Sequence, residues 1–214
     1  MKALKDEKII FDLDDTLLFL PDKWLEMGND LMGEHQTGVS AGELFYVISQ
    51  VEKDSPDEYI TKEFLIDYVN SRLPLGLDQR KLGELLEGYA RIPLVDVDVV
   101  KGTLSYLSGK YDLIAYTNWF TDNQILRLKL NGLDGYFSKV FGWDVLPTKP
   151  SKRGLDEIVG SDDVKNYTFV GDNIDMDVKL PDAIGMKTIF LNRKNIVQDR
   201  YREIQNISEL KKLL

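Results

Sequence analysis

The sequence predicts an α/β fold, a Rossmann-like parallel sheet core with an all-helical insertion directly after the first strand. Three observations predict it. Short apolar strands alternate with helical patterns from residue 98 onward, as in a parallel sheet with crossover helices. Between 17 and 97 apolar residues recur only at helical spacing. One strand, Lys8–Leu13, precedes that stretch and runs straight into acids.

Taken in order, KIIFDL (Lys8–Leu13) is the first strand. The helical stretch follows, with Leu44, Val47, Ile48 and Val51, then Phe64, Leu65, Tyr68 and Val69, then Leu82, Leu85 and Leu86 marking its faces. Breaks at Gly38, Pro56, Pro74-Leu75-Gly76 and Pro93 divide it into about four helices. A helix over about 99–108 leads into the strand Tyr111–Thr117, and another helix starts near Asp122. A short strand at Lys139–Phe141 precedes a helix from about Ser151. The strand Asn166–Gly171, a helix ending near Gly185 and the strand Met186–Leu191 complete the sheet. Asn206 and Glu209 stand in capping-box spacing before a last helix near Ser208–Leu213. The expected division is a core of 1–16 and 98–214 with a helical unit of 17–97.

Composition narrows the chemistry. The 214 residues contain no Cys and one His, His35, which removes thiol nucleophiles, disulfides and Cys- or His-rich metal sites. Carboxylates, hydroxyls and lysines remain, with a hard metal ion as the natural cofactor. The net charge is −9, which speaks against nucleic acid or an anionic membrane as partner. Residues 17–97 hold seven Lys/Arg against fifteen Asp/Glu, so the excess acid lies in the insertion. There it reads as a solvated face. No signal-peptide core and no apolar run of membrane-spanning length is present, so a cytoplasmic location is expected.

Ligands of open α/β sheets bind outside the carboxyl ends of the strands. Those ends carry Asp12 and Asp14, Thr117 and Asn118, Lys149, and Asp172 and Asp177. Four carboxylates, a hydroxyl and an ammonium thus converge on one rim. Crowded acids need a cation, and Mg²⁺ fits because it takes few carboxylates and keeps room for phosphate oxygens. Lys149 and backbone amides after Asp12 would complete a clamp for a trianion. Asp12 can then serve as the nucleophile, forming an aspartyl-phosphate. Asp14, two residues on and on the same side of an extended backbone, can act as general acid and base. By chance, D-x-D-x-T arises about once in ten chains of this composition and G-D-x-x-x-x-D about once in five. It is their order and placement at strand ends that give them meaning.

FDLDDTL (Phe11–Leu17), AYTN (Ala115–Asn118), TKPS (Thr148–Ser151) and VGDNIDMD (Val170–Asp177) resemble the four motifs of the haloacid dehalogenase superfamily. The helical insertion resembles that superfamily's cap. The resemblance covers nearly the whole chain. It implies Asp12 as phosphate-accepting nucleophile and Asp14 as acid/base. Thr117 would bind a phosphoryl oxygen with the Asn118 amide nearby, and Lys149 would stabilise charge. Mg²⁺ would be held by Asp12, the Asp14 backbone carbonyl and Asp172, with Asp177 in the outer shell or bonded to Lys149. Members that remove halide without a metal lack an acid at the position of Asp14, so its presence favours a phosphatase of small phosphorylated metabolites. A sugar phosphomutase and a catalytically silent binding protein are the alternatives. Asp96-Val97-Asp98-Val99 stands where a Pro-Gly pair is usual, and Lys152 where a second Pro often follows Lys149-Pro150.

Other residues read more plainly. Asp15 suits a turn, Thr16 a bond to the loop backbone, and Asp175 the cap of the following helix. Asp177 is also placed as a helix-dipole acid. Trp24, Phe45, Tyr46 and Tyr89 read as cap core, Arg91 as one half of an ion pair, and His35 as surface. Trp119 and Phe120 are bulky enough to narrow or line the pocket.

Overall fold

Ile9, Ile10 and Phe11 of β1 (Lys8–Phe11) are all fully buried, which a strand covered on both faces requires. The computed structural model describes residues 6–34 and 38–214; His35 lies outside them. β1 pairs in parallel with β2 (Asp112–Tyr116) on one side and β4 (Tyr167–Gly171) on the other. With β3 (Lys139–Phe141), β5 (Lys187–Leu191) and β6 (Glu203–Ile204) the sheet reads β3-β2-β1-β4-β5-β6, parallel throughout. The chain order reverses between β1 and β4, and a crevice forms at their carboxyl ends.

Period-two alternation sorts the strands' side chains into two layers. Ile9, Phe11, Leu113 and Val170 pack with Leu104 and Leu107 of α5 (Val97–Ser108), Leu128 of α6 (Thr121–Leu130) and Leu210 of α9 (Leu210–Leu213). Ile10, Ile114, Tyr116 and Phe169 face the other way, toward Leu155 and Ile158 of α7 (Lys152–Val159). Each such buried side chain contributes about 1.5–3 kcal/mol.

The insertion is four helices: α1 (Trp24–Glu34), α2 (Ala41–Asp54), α3 (Lys62–Asn70) and α4 (Gln79–Ala90). Ser40 and Glu43 form a full capping box on α2, and Thr61 and Asp78 cap α3 and α4, each satisfying an otherwise orphaned amide. Val51, Leu65, Val69 and Leu82 belong to one apolar cluster, which continues into the core through Trp119, Phe120 and Trp143. The segments entering and leaving the insertion pair with each other: Val95 N donates to Phe19 O at 2.9 Å.

Differences from the expected elements are local. The first strand ends at Phe11, although Asp12 N still donates to Val170 O. A π-helical turn, Ile174–Val178, precedes a short α8 (Lys179–Ala183) where one helix was expected. The last helix is split into a 3₁₀ turn, Ile207–Glu209, carrying the Asn206–Glu209 capping box, and α9. β6 was not anticipated. Tyr46 is not cap core: at 68% exposure it lies on the surface, whereas Trp24, Phe45 and Tyr89 form a chain of ring contacts. Arg91 pairs with Glu87 at 2.7 Å.

Candidate active site

Asp12, Asp14, Thr117, Asn118, Lys149, Asp172 and Asp177 line one cavity of about 120 Å³ at the carboxyl ends of β1, β2 and β4. The three central motif elements bond directly. Lys149, 3% exposed, donates through Nζ to Asp12 Oδ1 at 2.6 Å and Asp177 Oδ1 at 2.7 Å. The other Asp12 oxygen accepts from Thr16 Oγ1 at 3.0 Å. Thr16 thus holds the carboxylate through its hydroxyl, while its amide bonds the loop backbone at Leu13 O, 3.2 Å.

Burial alone would lower the Lys149 pKa, but Asp12 and Asp177 more than offset it, so the ammonium is held up. Burial pushes the Asp12 carboxyl well up; Lys149 opposes this and the neighbouring acids reinforce it. Asp172 is pushed up to about 6, by burial first and Asp177 second, against the pull of Lys194.

Carboxylate oxygens of Asp12, Asp172 and Asp177 lie within 4.8 Å of one another. Lys149 is shared by two of these acids, and Lys194, 3.3 Å from the third, is shared with Asp15, so the carboxylates outnumber the cations beside them. An all-oxygen donor set of this kind fits a hard divalent cation.

Asp177 reaches inward because of its local backbone. Asn173 caps the π-helical turn, its Oδ1 accepting from Asp175 N and Met176 N, and Asn173 N donates to Asp177 Oδ2 at 3.1 Å. Asn173, not Asp175, is thus the cap; Asp175 pairs with Lys179 at the surface. Asp15 takes a positive φ of 59° in the turn after the nucleophile candidate, a conformation that Asp tolerates.

Thr117 Oγ1 accepts from Gln124 Nε2 at 3.1 Å. That occupies a lone pair and leaves the hydroxyl proton free to donate. The Asn118 side chain brackets Lys149: its Oδ1 accepts from Lys149 N at 2.7 Å and its Nδ2 donates to Lys149 O at 3.2 Å. Besides lining the cavity, it therefore sets the backbone that carries the lysine.

Three residues at this site have no signature in the sequence pattern. Arg127 donates to the Asp14 carboxylate, and Gln124 Nε2 donates to Asp14 Oδ2 at 2.6 Å. Both come from the buried face of α6. Glu52, from the last turn of the insertion's α2, lines the cavity beside Asn118 and Lys149. Burial pushes its carboxyl up, against Lys149 and Asn118.

Trp119 and Phe120 do not line this cavity. They are buried against Trp143 and Tyr89, where large apolar rings join the cap to the core. The cap is also clamped next to Lys149. Thr148 Oγ1 donates to Ser55 O at 2.8 Å and Thr148 N to Glu58 O at 2.8 Å, while Ser151 and Asp57 bond through their side chains.

Among known proteins, the chain is 24% identical over 203 residues to the HAD-hydrolase YfnB of Bacillus subtilis (strain 168), covering 86% of this chain and 83% of that one. The magnesium-bound structure of YfnB superposes with a TM-score of 0.72 at 19% identity and covers 98% of each chain. A 2-haloacid dehalogenase from Pseudomonas syringae pv. Tomato DC3000 gives 0.71 at 22% identity, and a HAD phosphatase from Thermococcus onnurineus 0.68 at 24%, each covering 97% of both chains. No helix among the described residues is long and apolar enough to cross a membrane. The model of the haloacid dehalogenase-like hydrolases matches residues 9–191, and the chain, with its four motifs around one crevice of the sheet, belongs to that family.

Proposed function

We propose that this hydrolase is a magnesium-dependent phosphatase of small phosphorylated metabolites, working through an aspartyl-phosphate on Asp12. One observation carries the reading. A second acid, Asp14, stands at the same cavity as Asp12 and is oriented by two dedicated side chains, Arg127 and Gln124. Halide removal by an aspartate has no use for such an acid, whereas an alkoxide leaving group needs a proton. The structural neighbours include both a phosphatase and a dehalogenase, so this acid is what separates the two readings.

In the first step a carboxylate oxygen of Asp12 forms a bond to phosphorus and the ester P–O bond breaks. Asp14 gives its proton to the departing oxygen. The carboxylate it becomes is received by Arg127 and Gln124, a charge-assisted arrangement that favours the transfer. In the second step Asp14 takes a proton from water, the water oxygen bonds to phosphorus, and the Asp12–phosphorus bond breaks to release inorganic phosphate.

Lys149 and the free Thr117 hydroxyl bind phosphoryl oxygens throughout. Asp12, Asp172 and the Asp14 carbonyl would hold the metal, and Asp177, bonded to Lys149 Nζ, keeps that lysine in place. A bound magnesium ion supplies charge neutralisation to the clustered acids and the phosphoryl group. The small cavity and the cap clamped over it support a small ester rather than a polymer as substrate.

Asp12→Asn should abolish phosphate release from p-nitrophenyl phosphate in Mg²⁺. Normal turnover by that variant would rule the mechanism out. Metal-independent chloride release from a 2-haloacid, without phosphatase activity, would place the chain with the dehalogenases.

A further inference from the structure

Among the described residues, the insertion contributes one ionisable side chain to the catalytic cavity, and it is an acid. Glu52 lines that cavity together with Asp14, Asn118 and Lys149. It sits one residue after Val51, which is fully buried in the cap cluster, so helical geometry turns the two toward different surroundings. The Asn118 side chain lines the same cavity, and both ends of its amide are committed to the Lys149 backbone.

The position is not that of a side chain on a swinging lid. Three residues beyond Glu52 the chain is fastened to the Lys149 loop. Ser55 O accepts from Thr148 Oγ1, Glu58 N donates to that same hydroxyl at 3.3 Å, and Asp57 bonds Ser151. The carboxylate is thus referenced to the loop that carries the phosphate-binding lysine.

The inventory of the cavity decides what such an acid does. Lys149 is the only cation among the described residues that line it, and the scissile phosphate uses it. What the rest of the substrate meets from the cap is Glu52, with Asn173 and Met176 on the core side. A second anionic group would lie beside a carboxylate of like charge, which disfavours binding. A hydroxyl or an ammonium would instead donate to it.

We infer that Glu52 is a specificity-determining residue for the phosphatase proposed above, selecting esters whose leaving group carries a hydroxyl or ammonium donor and rejecting those that carry a carboxylate. The inference rests on that reading of the reaction.

Four two-carbon phosphomonoesters that differ only at the far carbon test it: ethyl phosphate, 2-hydroxyethyl phosphate, 2-aminoethyl phosphate and phosphoglycolate. With Mg²⁺, wild-type kcat/KM for the better of the two donor esters should exceed that for phosphoglycolate by about tenfold or more. The hydroxyl and amino arms show which donor Glu52 prefers. In Glu52→Gln that ratio should collapse toward the ethyl phosphate baseline, and in Glu52→Lys it should invert in favour of phosphoglycolate. Because the readout is a ratio within each variant, a partly destabilised variant still reports.

Equal ratios in wild type and Glu52→Gln, or a wild-type preference for phosphoglycolate, would overturn the role of Glu52 while leaving the phosphatase reading intact. Failure of the wild type to hydrolyse any of the four, or p-nitrophenyl phosphate, would remove the phosphatase reading and this inference with it.

Discussion

Arg127 and Asp14 form an ion pair in which the arginine side chain is 1% exposed and the aspartate 40%. The guanidinium also donates to Gln124 Oε1 at 3.0 Å and lies 4.6 Å from the centre of the Tyr89 ring. Its Nε and Nη2 have no hydrogen-bond acceptor among the described residues. The carboxylate and the ring face therefore supply most of the compensation for a buried charge. The same contact that orients the acid/base candidate also keeps Arg127 tolerable in the interior.

This pair predicts a leaving-group-dependent defect. Arg127→Lys keeps a positive charge but loses the planar fork, so Asp14 is no longer fixed against the departing oxygen. Turnover of an alkyl phosphate, which needs the proton, should fall by roughly ten- to a hundredfold. Turnover of p-nitrophenyl phosphate, whose leaving group needs little help, should fall much less. Arg127→Ala should in addition cost on the order of 2–3 kcal/mol, below the value for a fully enclosed pair because Asp14 is partly hydrated. Equal losses on the two esters would mean that Arg127 serves the fold alone.

Gly171 ends β4 immediately before Asp172, and a methyl group there would overlap the side chain of Asp177. Asp177 cannot simply retreat, since it is tied to Lys149 and to Asn173 N. Gly171→Ala should therefore destabilise the protein by about 1–3 kcal/mol and raise the Mg²⁺ concentration needed for half-maximal activity. Gly83→Ala on α4, where nothing lies within 4 Å, is the control and should stabilise by up to about 1 kcal/mol. Thermal melts and a magnesium titration of the two variants separate local crowding from a general intolerance of alanine.

These relationships differ in how visible they are in the sequence. Ile9, Ile10 and Phe11 announce a doubly covered strand by being apolar in succession, and Asp12 is legible because it follows them at the strand end. Asp172 and Asp177 are legible for the same reason after β4. Gln124 and Arg127 are not, because the buried face of α6 is polar and apolar periodicity passes over it. Glu52 adjoins Val51 and looks like the start of a solvated face; only the fold shows that this face meets the cavity. Trp119 and Phe120 follow a catalytic motif and suggest pocket lining, but their burial depends on Trp143 and Tyr89, which are distant in sequence. β6, two residues long, has no pattern to detect.

The raised pKa of Asp172 couples stability to pH in a definite direction. An ordinary Asp titrates near 4, and burial beside Asp177 pushes this one up to about 6 in the folded chain. Between those values the folded protein holds a proton that the unfolded chain has released, so the contribution of this group falls as pH rises through that window. Above it the cost reaches roughly 3 kcal/mol. Without metal, Asp172→Asn should therefore gain stability relative to wild type as pH is raised from 4 to 7. Magnesium favours the ionised carboxylate and should stabilise the wild type more at pH 7 than at pH 5, where binding must displace a proton. Melting curves in chelator and in excess Mg²⁺ at both pH values test this; parallel pH profiles of wild type and Asp172→Asn would refute it.

Thr148 joins cap and core through one hydroxyl, which donates to Ser55 O and accepts from Glu58 N. Thr148→Val preserves the shape and removes both bonds, leaving the Ser55 carbonyl and the Glu58 amide without that partner. The expected cost is about 1–3 kcal/mol, confined largely to the clamp because Thr148 N still donates to Glu58 O. Amide exchange should accelerate through residues 55–60 while the central strands β1 and β4 keep their protection. If the clamp holds the cap over bound substrate, KM rises; if opening limits product release, kcat rises instead. Unchanged exchange across 55–60 would show that the aromatic contacts of Trp119 and Trp143 suffice to hold the cap, with the Thr148 hydroxyl contributing nothing measurable.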